Sequence, residues 1–249
     1  MRDYNLDFIS NENLYNHVKE TVNKYRFKVD LSEFNKNLID PIKLTFDSKV
    51  YGKNINDVIE NEVIRQVDKS NTNQIGYFHQ NIFRYIGSEN GWYLPESGYD
   101  ISNDQLSYYV EMKNKHNTMN SKSSAETYEM MQKTIRTNPN AICLLVEVIA
   151  KKSQNIAWHI KLGGISVSDQ RIRQMSIDRF YELVTGDQTA FKKLCEKLPS
   201  VIDDIVSSGD FEQESNSVIQ ELNAIDNNLL KSLFLLSFKK YAGFDNFNV

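Results

Sequence analysis

The chain has 249 residues, of which 40% are hydrophobic, 25% charged and 11% aromatic, which excludes a disordered, collagenous or coiled-coil protein. A net charge of −4 argues against a protein that coats nucleic acid without selectivity, and two distant cysteines exclude a disulfide scaffold or a zinc finger. No stretch reaches the roughly 18 uninterrupted apolar residues that cross a bilayer, and the N-terminus carries acids and Asn where a signal peptide needs an apolar run, so a soluble, cytoplasmic protein is expected.

Along the chain, residues 11–25 and 54–69 read as helices, with a second helix over 73–86. Strands are expected near 97–101 and 106–113, joined by turn chemistry at Ser102-Asn103-Asp104. Residues 123–137 return to helix, with Ser123 and Glu126 spaced as a capping box, and Asn138-Pro139-Asn140 stops them. The run AICLLVEVIA (141–150) is a buried strand by length and β-branching, and another strand is expected over 155–161. From about residue 176 the pattern is mostly helical and ends in the apolar run LLKSLFLLSF. This order gives an α/β fold, a central mixed β-sheet flanked by helices with a helical C-terminal region. The whole chain, 1–249, is read as a single domain, elaborated by N-terminal helices (about 1–50) and a C-terminal helical part (about 176–249).

Charge is unevenly spread. Lys151, Lys152, Lys161, Arg171 and Arg173 form a basic stretch that contains one acid, Asp169, whereas Leu198 to Leu230 holds seven acids and no Lys or Arg. One region suits a polyanion while the other suits solvent.

The segment richest in chemistry is GYDISNDQLSYYVEMKNKHN, from Gly98 to Asn117. Strand alternation puts Tyr109, Glu111 and Lys113 on one face and Val110 and Met112 on the other. Asp100 lies across the hairpin, so two carboxylates and an ammonium converge within about 5–7 Å. Two oxygen ligands that close suit a hard cation such as Mg²⁺, and a lysine beside them can hydrogen-bond an attacking water and offset charge on a pentavalent phosphate. That set fits metal-assisted phosphodiester hydrolysis. Asp47-Ser48-Lys49 has the same acid-x-Lys spacing, but its upstream acid, Asp40, stands in Asp-Pro order and no buried strand follows. On the helix over 54–69, Glu62 and Gln66 fall inside the apolar stripe of Ile55, Val58, Ile59 and Val63, and a buried acid there calls for a partner or a metal. Glu62 is therefore a candidate third carboxylate. Glu147, inside the apolar strand, is a polar anomaly without an assigned role.

Asp100, ten intervening residues and Glu111-Met112-Lys113 resemble the PD-(D/E)XK nuclease signature, with Gly98-Tyr99 in place of the residues that usually precede the aspartate. The longer text GYDI, YYVEMKNKHNTMNS, SIDRFYELVTGD and AFKKLCEKLP resembles type II restriction endonucleases that cut GGNCC or GGWCC sites, over roughly residues 10 to 240. The resemblance implies a restriction-endonuclease-like core, a homodimer, Mg²⁺ dependence and cleavage of double-stranded DNA at an interrupted palindrome. It makes Asp100 and Glu111 metal ligands and Lys113 the catalytic lysine, with Glu62 carried over as a further ligand. Arg171 and Arg173 are the candidates for guanine recognition, and Lys115, His116 and Asn117 for contact with phosphate or a base edge. Asn120 to Ser124 offers hydroxyls and amides for phosphate at a helix N-terminus. Two-fold DNA calls for a two-fold protein, and the apolar C-terminal helix is one surface that could supply it. The rival readings are a repair or recombination nuclease on the same core, and a DNA-binding module whose nuclease core has decayed. A Gly-rich phosphate loop, which an enzyme of small phosphorylated substrates would favour, is absent from the sequence.

Overall fold

A computed structural model describes residues 3–208, 216–241, 244 and 247. Three acids of the expected acidic stretch, Asp210, Glu212 and Glu214, lie outside the described residues. In chain order the elements are helices α1 (Asn11–Asn23), α2 (Leu31–Lys36), α3 (Pro41–Tyr51) and α4 (Ile55–Asn81), strands β1 (Ile101–Asn103) and β2 (Tyr108–Lys115), helix α5 (Ser121–Thr137), strands β3 (Ile142–Ile149), β4 (Asn155–Ala157), β5 (Ile160–Leu162), β6 (Ile165–Val167) and β7 (Ile172–Ser176), and helices α6 (Ile177–Thr185), α7 (Ala190–Val206), α8 (Val218–Ile225) and α9 (Leu229–Phe238). The fold is α/β, as expected. Among the described residues no helix is long and apolar enough to cross a membrane.

The chain divides into two compact units, Met1–Asn23 with Ile75–Asp210, and Lys24–Gln74 with Phe211–Val249. The first unit is built on a five-stranded sheet of order β1-β2-β3-β7-β4. Its three inner strands are parallel, and antiparallel strands close both edges. Strands buried on both faces read as continuous apolar runs, and β3 does so because each face is covered by helix. On one face, Tyr128, Met131 and Ile135 of α5 pack on Cys143, Leu145 and Ile172. On the other, Val110, Leu144, Val146 and Met175 meet α1, α6 and α7 through Leu14, Phe180, Tyr181 and Leu194. Truncating a fully buried residue such as Leu144 to Ala removes its contacts without letting the layers collapse, at a cost of about 2–5 kcal/mol.

The second unit is helical. Val29, Phe34, Leu44, Ile59, Val63, Leu222 and Leu233 form its own apolar core. Asp40 caps α3, accepting from the amides of Ile42 and Lys43, and Pro41 pre-sets the first turn. The apolar C-terminal helix α9 buries Leu229 and Leu233 in this core.

Several local expectations are corrected. The helices expected at 54–69 and 73–86 are one helix, α4, followed by a short 3₁₀ turn at Ile82–Arg84. Within it, the Asn71 side chain bonds the backbone N–H and carbonyl of Arg26, so it does not compete with its own helix. Helix α5 is capped by Asn120, whose Oδ1 accepts from Ser123 N–H at 2.9 Å, rather than by Ser123. The strand expected over 155–161 is two strands separated by buried Trp158. The hairpin β5–β6 turns at Gly163 and Gly164, both at positive φ (56° and 86°), as a two-residue turn of matching twist requires. Strand β7, inside the sheet, was not foreseen: it is five residues long and carries Arg173 and Gln174 between its apolar positions.

Candidate active site

Backbone pairing at one end of the sheet assembles the candidate residues. Ile101 pairs with Val110, and Asp100 N–H donates to the Val110 carbonyl at 2.9 Å, so continuing the antiparallel register sets Asp100 opposite Glu111. The Asp100 carboxylate accepts from Met112 N–H at 2.7 Å, which ties it to β2. Lys113 Nζ donates to Glu111 Oε1 at 2.5 Å. Glu111 and Lys113 occupy the α5 side of β2, because their register partners Leu145 and Glu147 alternate with Leu144 and Val146 of the opposite core. The structure thus brings together Asp100, Glu111 and Lys113, all in the first unit.

Electrostatics leave this trio unfinished. Burial, then the neighbouring Glu111, pushes the Asp100 carboxyl above its ordinary value, against the opposing pull of the Met112 amide and Lys113. The two carboxylates face each other across adjacent register positions and repel, which is the second cause of the raised Asp100 carboxyl. One ammonium offsets one charge, so a surplus negative charge stays on two oxygen donors of different strands. That donor set fits a hard divalent cation. Among the described residues no group of three or more His, Cys, Asp or Glu is arranged to hold a metal.

Asp100 also forms part of the wall of an open hollow of about 890 Å³. Its other walls include Tyr77, Gln80, Asn81 and Arg84 from the end of α4 and the following turn, and Tyr93. Sequence reasoning passed over these residues. Their spacing, i, i+3, i+4 and i+7, was a usable signal: it describes a polar helical face close in sequence to the hairpin.

The remaining candidates fall elsewhere. Glu62 belongs to the second unit, where Arg65 donates to both its oxygens (2.7 and 2.6 Å) and Gln66 adds a longer bond. Burial alone would raise its carboxyl, but the bonds from Arg65 and Gln66 and the charges of Arg65 and Lys43 outweigh that and hold it below its ordinary value. Gln66 is buried and satisfied structurally, donating to the Phe34 carbonyl and accepting from Asn37. Lys115, His116 and Asn117 are exposed where β2 ends, on the way to the N-terminus of α5. His116 is anchored there by its N–H to the Ile149 carbonyl. Arg173 pairs in register with Leu144, so β7 turns it to the sheet face opposite Glu111. Its guanidinium bonds the Asn155 side chain and backbone, and that of Arg171 is paired with Asp169 and reaches the carbonyls of Ile135 and Pro139. Sequence reading could not set this face because it lacked β7.

A parallel-cored mixed sheet, with paired acids and a lysine on an edge hairpin, fits the PD-(D/E)XK nuclease type. The family model for the Eco47II restriction endonuclease matches residues 6–207. The type II restriction enzyme Sau96I of Staphylococcus aureus is 32% identical over 216 residues, covering 82% of each chain. The type II restriction enzyme Eco47II of Escherichia coli is 29% identical over 215 residues, covering 81% of this chain and 88% of its own. The chain belongs to the Eco47II restriction endonuclease family.

Proposed function

We propose that the protein is a Mg²⁺-dependent type II restriction endonuclease that acts as a homodimer on double-stranded DNA, cutting at a short interrupted palindrome of the GGNCC kind. The observation that carries this reading is the hairpin that joins Asp100, Glu111 and Lys113 in a chain of this family. Asp100 and Glu111 would hold the cation, which supplies polarisation of the phosphate and activation of water. The Met112 amide keeps Asp100 turned toward Glu111. Lys113 hydrogen-bonds the attacking water and offsets the charge that builds on the phosphate oxygens. The water oxygen bonds to phosphorus as the bond to the 3′ oxygen breaks; the water gives up a proton to solvent and the leaving 3′ oxygen takes one up from solvent, leaving a 5′-phosphate and a 3′-hydroxyl.

Glu62 would have to give up Arg65 to serve as a ligand, so we rest the reaction on the other three. Lys115, His116 and Asn117 are assigned to the DNA backbone near the scissile phosphate. Arg171 and Arg173 stand as the guanine readers to be tested. The whole chain, 1–249, is taken as one nuclease domain, with the N-terminal helices (about 1–50) and the C-terminal helical part (about 176–249) as its elaborations.

Digestion of plasmid DNA with Mg²⁺, followed by mapping of the fragment ends, tests the reading. Discrete fragments ending in one interrupted palindrome with 5′-phosphates are expected, and EDTA should abolish them. Nicking confined to branched DNA, or no cutting by a folded protein that still binds DNA, would replace it with one of the rival readings.

A further inference from the structure

Glu147 is 3% exposed, in the middle of strand β3. One carboxylate oxygen accepts from Gln174 Nε2 at 2.7 Å, and the other is buried without a hydrogen-bond partner among the described residues. In register it stands beside Lys113 on one side and Ser176 on the other. It therefore shares the face of Glu111 and Lys113, one strand spacing of about 5 Å from Lys113. Ser176 is engaged elsewhere, its hydroxyl bonded to Asp178 and to the Gln154 backbone. A buried carboxylate oxygen without a partner is costly, and Lys113 is the ammonium at the adjoining register position.

We propose that Glu147 is a positioning residue for Lys113: Glu111 and Glu147 share one ammonium, which sits on Glu111 without a cation and passes to Glu147 when Asp100 and Glu111 hold one. The inference rests on the reading of Asp100 and Glu111 as metal ligands. Its physical basis is competition. Once the charge of Glu111 is balanced, its pull on Lys113 weakens, whereas the buried Glu147 keeps its full pull. Both strands are fixed in register, so the transfer needs only a change of lysine rotamer. Gln174, whose partner Leu145 pairs with Glu111, holds Glu147 in place through its amide. The ammonium then stands clear of Glu111, with protons free for the attacking water and the phosphate.

The test combines ¹⁵N NMR of the lysine Nζ groups with single-turnover cleavage, both on the full-length enzyme. The Lys113 resonance is assigned by its loss in Lys113→Arg. Adding Mg²⁺ without DNA should shift it in the wild type, and Glu147→Gln should remove that shift. The same variant should lower the cleavage rate about ten- to a hundredfold with DNA affinity unchanged, and Glu147→Asp should recover part of the loss. An unaltered shift, or a wild-type rate in folded Glu147→Gln, overturns the proposal. Should Glu147→Gln not fold, Gln174→Leu tests the same geometry: a severalfold loss of rate supports it and an unchanged rate overturns it. Asp100→Ala separates the two readings. If Asp100→Ala still cuts, the metal-ligand assignment itself fails; if it is dead while Glu147→Gln is normal, only the role of Glu147 fails.

Discussion

Two acid–base pairs in this molecule have nearly the same local chemistry and opposite meanings. On helix α4, Glu62 and Arg65 stand three residues apart, and on strand β2, Glu111 and Lys113 stand two apart. The helix pair is closed: a planar guanidinium takes both carboxylate oxygens, Gln66 adds a third donor, and the acid is held below its ordinary value. The strand pair is open. Its ammonium is a point donor to one oxygen, and the hairpin brings in a second acid whose carboxyl is pushed up. The helix pair is satisfied within the fold, whereas the strand pair leaves carboxylate oxygens that the proposed function would use for a cation.

Replacing Asp100 or Glu111 by Ala should break the contrast most visibly. Cleavage should fall by a thousandfold or more, a loss of about 4 kcal/mol in the transition state, while DNA binding persists. Glu62→Gln should leave cleavage within a fewfold of wild type and cost stability of about 1 kcal/mol or less, because Arg65 is largely solvated. Loss of cutting in Glu62→Gln would show that the closed pair opens during the reaction. At the substrate end, Arg171→Ala or Arg173→Ala should cost about 1–3 kcal/mol at guanine if either makes a bidentate base contact, read as the ratio of affinities for cognate and substituted duplexes. Equal weakening on every sequence would instead mark a phosphate contact.

A smaller effect concerns acid. His79 is largely buried, its Nδ1 has no hydrogen-bond partner among the described residues, and burial, then the nearby His17, lowers its pKa to about 4. The folded protein thus resists a proton that the unfolded chain accepts near pH 6.5, so stability is full above that value and falls as pH drops toward 4. Between pH 7 and pH 5 the loss should be about 2 kcal/mol, measured by urea titration, and His79→Phe should remove it if it folds. Least of all, Asn120→Ala should cost about 1 kcal/mol through the α5 cap, where Ser123→Ala keeps the capping acceptor.

Where the sequence carried period and spacing, it was legible. Alternation in YYVEMKNK placed Glu111 and Lys113 on a common face, and the apolar run of β3 announced a strand covered on both sides. Three things were hidden, each for a physical reason. Strand β7 owes its existence to ladder bonds with β3 and β4 rather than to its own composition, so Arg173 could not be assigned a face. The inward position of Glu62 was read correctly, but its partner Arg65 sits off the apolar stripe, and a stripe argument does not see a side chain reaching back along the helix. Glu147 was visible as an anomaly, and its neighbours Lys113 and Gln174 became visible only with the parallel register.

The most direct test is single-turnover cleavage of a duplex bearing the mapped site, comparing wild type with Lys113→Ala at saturating Mg²⁺. A rate reduced at least about a hundredfold, with unchanged affinity for the duplex, is the result expected if Lys113 faces the reacting phosphate. Cutting by Lys113→Ala at the wild-type rate would contradict it, and with it the claim that this hairpin is where the DNA backbone is broken.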